Sequence, residues 1–88
     1  MYTVRILKAA ARELERLDQV VGHRVAQRIQ WLAENVEKIK LERLKGDLAG
    51  LYRLREGNYR IIYQLLRKEK AIIIHSIGHR RDVYRQKK

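Results

Sequence analysis

Hydrophobic and polar positions change their spacing more than once along this chain. From Tyr2 to Leu7 the apolar positions Tyr2, Val4 and Ile6 alternate with their neighbours, which predicts a short strand. Ala9 to Leu17 is built of helix formers, with Ala10, Leu14 and Leu17 at helical spacing. Val21, Val25, Ile29, Leu32 and Val36 then step by four, four, three and four, predicting a second helix with a single apolar stripe. Gly22 interrupts the pattern and predicts a tight turn between the helices. Trp31 flanks the stripe and reads as a packing residue; His23 reads as a surface residue. Asn35 to Lys45 fits no single period, since Val36, Ile39, Leu41 and Leu44 suit either a helix extension or an irregular packed segment. Lys45-Gly46-Asp47 predicts a turn, and Leu48-Ala49-Gly50 leads on from it.

From Leu51 the period is two. The runs Leu51 to Glu56 and Tyr59 to Leu66 flank Gly57-Asn58, a pair able to supply the positive φ angles of a two-residue hairpin turn. That turn sets Glu56 opposite Tyr59, Arg55 opposite Arg60, Leu54 opposite Ile61, Arg53 opposite Ile62 and Tyr52 opposite Tyr63. Side chains alternate between faces, so Tyr52, Leu54, Ile61 and Tyr63 share an apolar face that suits a core. Arg53, Arg55 and Arg60 share the other. A third run, Ala71 to Ile77, follows a loop of Arg67-Lys68-Glu69-Lys70. Unbroken pairing would set His75 opposite Ile62 and Ile77 opposite Arg60 on the arginine face, with Ile72, Ile74 and Ser76 in the core. Gly78-His79-Arg80-Arg81 would lie level with Arg60, with Tyr84 shortly after.

These elements define an α+β fold in the order β-α-α-β-β-β: a two-helix hairpin packed on one face of a mainly antiparallel sheet of about four strands. At 88 residues the chain makes one domain, 1–88, with one modest core. It has no cysteine, which excludes disulfide and thiolate-metal frameworks. No apolar run approaches a membrane span, and the N-terminus lacks the features of a signal peptide, so a cytoplasmic protein with no membrane partner is expected. No HxxxH, carboxylate cluster or P-loop supports metal or nucleotide chemistry, and no cofactor is expected.

Charge sharpens the picture. The formal net charge is +11, and it is uneven: residues 1–36 carry +2 and residues 37–88 carry +9. Such a field points to nucleic acid or an acidic protein partner, against the plainer reading of a solvated surface. Arg55 directly opposite Arg60 is destabilising by up to about 1 kcal/mol; a polyanion held across the face would relieve it.

The segment LKGDLAGLYRLREGNYRIIYQL, followed after a third strand by IGHRRDVY, resembles the RelE branch of the RelE/ParE toxin superfamily. The resemblance rests on Leu54-Arg55-x-Gly57-x-Tyr59-Arg60-x-x-Tyr63 with a later Gly78-His79-Arg80, and Tyr84 favours the nuclease branch. It implies a toxin that cuts mRNA in the ribosomal A site without a metal, by attack of the ribose 2′-hydroxyl on the adjacent phosphorus. The partners it implies are the ribosome, mRNA and a cognate antitoxin, with operator DNA bound only through the antitoxin complex. On this resemblance Arg60 binds the scissile phosphate, Arg80 stabilises the transition state or leaving oxygen, and Tyr84 stacks on the base or accepts the proton. Arg53 and Arg55 stand where the best-known members carry lysines, and Lys45 where a basic residue contacts RNA. Arginine stays protonated, so a base role does not suit Arg53 or Arg55. Arg81, His79 and His75 complete the expected RNA-binding set; His75 reads more as a structural residue than a catalytic one, and the alternative for Tyr84 is a packing residue. The competing function is a ParE-type poison of DNA gyrase that cleaves nothing.

Overall fold

The computed structural model describes residues 1–79. Its elements are β1 (Thr3–Ile6), α1 (Lys8–Arg16), α2 (Gln19–Asn35), β2 (Glu42–Arg43), β3 (Tyr52–Glu56), β4 (Tyr59–Leu66) and β5 (Ala71–His79), with a short 3₁₀ turn at Gly46–Leu48. The strands form one five-stranded sheet in the order β1-β5-β4-β3-β2. β1 runs parallel to β5, and every other pair is antiparallel. The α+β class and the two helices on a mainly antiparallel sheet are as the sequence predicts; the strand count is five rather than four. The extra strand is β2, two residues long within the aperiodic segment, where two residues cannot establish a period.

Gly22 does not break the helix pair. The link is Leu17-Asp18, and Gly22 lies inside α2. Asp18 caps α2, its carboxylate accepting the Val21 N–H at 3.3 Å. An Asp cap contributes about 1 kcal/mol, which offsets the roughly 0.5–1 kcal/mol that glycine costs within a helix.

The helices cover the predicted apolar face. Val25, Leu32, Ile61, Tyr63, Ile72, Ile74 and Ile77 are fully buried, and Tyr2, Ala10, Ile29, Val36 and Leu54 join the same cluster. Trp31, Tyr52 and Tyr59 pack against it while partly exposed. Each fully buried branched side chain contributes about 1.5–3 kcal/mol. Ile62 and Ile73 are also buried but stand on the opposite face, outside that cluster. Among the described residues no helix is long and apolar enough to cross a membrane.

The β3–β4 register is the predicted one throughout, Tyr52 with Tyr63 to Glu56 with Tyr59. Only Gly57 of the turn pair takes positive φ, at 59°. That is the requirement of a II′ turn with glycine first, rather than of a turn needing positive φ at both positions. The β4–β5 ladder begins as predicted, Leu66 with Ala71 to Tyr63 with Ile74, and then slips by one residue. His75 is the extra residue of a β-bulge, after which Ile62 faces Ser76, Ile61 faces Ile77 and Arg60 faces Gly78. The slip moves Ile77 into the core and Ser76 onto the arginine face, the reverse of the unbroken pairing. Hydrophobicity drives it: a bulge buries Ile77 and leaves the serine hydroxyl outside.

Candidate nucleic-acid interface

The strands that fill the core on one face carry Arg53, Arg55, Arg60, Gln64 and His75 on the other. β3 and β4 set Arg55 directly across from Arg60. The chain resolves the like-charge clash internally, by turning the two guanidinium groups apart. Arg60 bends back to its own hairpin, where Nη1 donates to the carbonyls of Gly57 and Tyr59, each at 3.2 Å. Its Nε is buried and has no hydrogen-bond partner among the described residues. Arg55 turns outward to Glu42 on β2, 3.4 Å from Oε1. Arg53 donates Nε–H to that same oxygen at 3.2 Å. Strand pairing holds this carboxylate in place, because Glu42 faces Arg53 across β2–β3.

Beyond the two pairs of β2, the outer edge of β3 is closed by a helix side chain. Arg28 of α2 donates Nε–H to the Arg55 carbonyl at 3.2 Å and lies 3.9 Å from the Glu56 carboxylate. Its guanidinium stacks over the Trp31 ring, 4.2 Å from the centroid. Arg28, Trp31, Glu42, Arg53, Leu54 and Arg55 border a groove of about 310 Å³ along this edge, its lining a mixture of apolar, cationic and acidic side chains.

The other described residues of the predicted set, His75, His79 and Lys45, stand apart from one another. His75 sits at the bulge on the arginine face, Nε2 3.1 Å from Gln64 Oε1. His79 faces Tyr59, its ring edge-on at 5.7 Å, because the slip aligns Gly78 with Arg60 and puts His79 one position further on. The histidine is therefore on the helix-covered face, away from the arginines. Lys45 is exposed just after β2, where Leu44 N–H bonds the Leu51 carbonyl, at the end of β3 remote from the hairpin. Arg80, Arg81 and Tyr84 lie outside the described residues. Among the described residues the structure thus joins Arg53 to Arg55, sends Arg60 toward the turn and sets Lys45 and His79 apart from them. Two participants escaped the sequence reading. Glu42 is the acid in an otherwise basic stretch, and Arg28 carries no signal in a helix pattern.

Buried tyrosine chemistry separates cleanly from this face. Tyr63 is pushed up to about 12, chiefly by burial, with Tyr52 and Glu42 adding to the rise and Arg67 opposing it. Its ring lies 5.6 Å from that of Tyr52. A phenol so held stays neutral and belongs to the core.

A small α+β protein with helices on one sheet face and a basic, arginine-bearing opposite face defines the class of the RelE-like toxin fold. A family model described as the ParE toxin of type II toxin–antitoxin systems, parDE, matches residues 4–84. The chain belongs to that family, within the RelE/ParE toxin superfamily. Toxin RelG of Mycobacterium tuberculosis is 28% identical over 88 residues, covering 97% of this chain and 98% of the relative. Among solved structures, a chain of the toxin–antitoxin complex RelBE2 of M. tuberculosis is 26% identical with a TM-score of 0.80, covering 89% of this chain and 90% of that one. The archaeal RelE–RelB complex from Pyrococcus horikoshii OT3 matches at 30% identity and a TM-score of 0.67, covering 90% and 94%. The isolated RelE toxin of E. coli, at 19% identity, shares the fold with a TM-score of 0.75, covering 97% and 98%.

Proposed function

We propose that this toxin is an mRNA endoribonuclease of the RelE type, acting on the ribosome in the cytoplasm and held in check by a cognate antitoxin. The observation that carries the reading is the Arg53–Arg55 pair, whose two Nε atoms lie 3.2 and 3.4 Å from one anionic oxygen. Paired guanidinium groups are suited to phosphoryl oxygens, and fixed cations stabilise the charge that develops when phosphorus is attacked. The RelE names of the relatives support the same branch.

In this reading the ribose 2′-oxygen attacks the adjacent phosphorus as its proton passes to the Tyr84 phenolate, the form that surrounding arginines favour. The P–O5′ bond breaks, leaving a 2′,3′-cyclic phosphate and a 5′-oxygen that Arg80 stabilises until it takes a proton. Arg53 and Arg55 hold the phosphate and stay protonated throughout. Arg60 joins them by exchanging its turn carbonyls for a phosphate oxygen, and its buried, unpartnered Nε–H favours that exchange. Lys45, His75 and Arg81 contact flanking RNA, whereas His79, expected in the same set, faces Tyr59 on the helix-covered side and takes no part. The antitoxin is the chain's protein partner, and operator DNA is reached only through their complex.

Primer extension on mRNA from cells expressing the chain tests the proposal. Codon-phased cuts on translated messages are expected, lost on co-expression of the antitoxin. Gyrase-dependent DNA breaks with intact mRNA would overturn it in favour of a ParE-type poison.

A further inference from the structure

Glu42 occupies the position that an anion bound by Arg53 and Arg55 would take. A single oxygen, Oε1, lies 3.2 Å from Arg53 Nε and 3.4 Å from Arg55 Nε. The contact is built into the fold, since Glu42 is the β2 partner of Arg53 in the sheet. Arg55 is fixed from behind as well, its carbonyl held by Arg28, which is itself stacked on Trp31. A phosphodiester drawn to these two guanidinium groups therefore meets a carboxylate already paired with both, and the two anions compete for the same cations. The ion pairs are partly exposed, with the Glu42 side chain 44% accessible. Pairs of this kind are individually weak and exchangeable.

We propose that Glu42 is a built-in competitor for the anion, and so a specificity-determining residue of the arginine face. A chain of net charge +11 attracts polyanions of every kind. With Glu42 in place the arginine pair is withheld from loose encounters. It is yielded to a phosphodiester that other contacts have already positioned. The identity of the anion as an RNA phosphate rests on the nuclease reading; the competition itself does not.

The test titrates the full chain with a labelled single-stranded deoxyoligonucleotide, which lacks the 2′-hydroxyl and cannot be cut. Glu42→Gln keeps the side-chain shape and removes the charge. It is expected to bind about three- to tenfold tighter than the parent at low salt, with a salt slope steeper by roughly 0.7, the increment for one further neutralised phosphate on a single strand. In an Arg53→Gln/Arg55→Gln background the same substitution is expected to give no gain. Equal or weaker binding by Glu42→Gln, or a gain that survives loss of both arginines, would overturn the proposal. A second measurement needs no variant: the Nε–H resonances of Arg53 and Arg55 in the parent chain should shift together on titration, and unmoved resonances would also overturn it. Tighter binding without any mRNA cleavage would leave the competition standing and refute the nuclease reading. Cleavage with unchanged Glu42→Gln binding would do the opposite.

Discussion

The two faces of the sheet are made by the same strands and obey opposite rules. On the helix-covered face Leu54, Ile61, Tyr63, Ile72, Ile74 and Ile77 are sealed in one cluster. On the other, Arg53 and Arg55 share one carboxylate, while Arg60 turns its Nη1 to the hairpin carbonyls and leaves its Nε without a partner among the described residues. Alternation along a strand lets stability and anion chemistry be set almost independently. The bulge at His75 is where they exchange residues, sending Ile77 inward and Ser76 outward.

Perturbing the core face gives the largest effect. Ile77→Ala is expected to cost about 2–5 kcal/mol, lowering Tm by at least about 10 °C, read by thermal unfolding. A near-neutral result would place Ile77 on the arginine face and remove the bulge. The arginine face should respond the other way round. Arg53→Gln/Arg55→Gln is expected to lower mRNA cleavage by about 100-fold or more, with Tm shifted by only a few degrees because exposed ion pairs contribute little.

The next effect is smaller and belongs to alkaline pH. Burial holds the Tyr63 pKa at about 12, above its ordinary value of 10.0. The unfolded chain loses that proton first, so the stabilisation is fully present below pH 10 and lost as pH rises toward 12, by up to about 2–3 kcal/mol. Urea titrations across this window should show the decline, and Tyr63→Phe should flatten it. The smallest change is a gain. A Cβ on Gly22 would meet Leu14 O at 3.7 Å and Leu17 Cβ at 3.8 Å, ordinary contacts, so Gly22→Ala should add about 0.5–1 kcal/mol by denaturant midpoint, with cleavage unchanged.

Much of this was legible in the sequence, for definite reasons. The hairpin was readable because Gly57-Asn58 fixes the loop and a period of two fixes the faces. The stripe from Val21 to Val36 gave α2 for the same kind of reason. The bulge was not read, although a clue lay in the spacing: Ile72 and Ile74 are two apart, while Ile74 and Ile77 are three apart. Parity flips between them, and only the folded ladder shows that hydrophobicity wins over unbroken pairing. Gly22 sits inside α2 because the cap at Asp18, three residues before Val21, sets the helix start and outweighs a local breaker. Glu42 and Arg28 act through strand neighbours and helix docking, neither of which a linear pattern encodes. The site was accordingly half readable: the arginines by alternation, their partners only in three dimensions.

Photo-crosslinking from each face tests most directly that phosphodiester recognition belongs to the arginine face alone. A photoreactive residue in place of Gln64, the partner of His75 on the arginine face, should crosslink mRNA on translating ribosomes, while the same residue in place of the exposed helix residue Val20 should not. Crosslinks from Val20 with none from Gln64 would contradict the account.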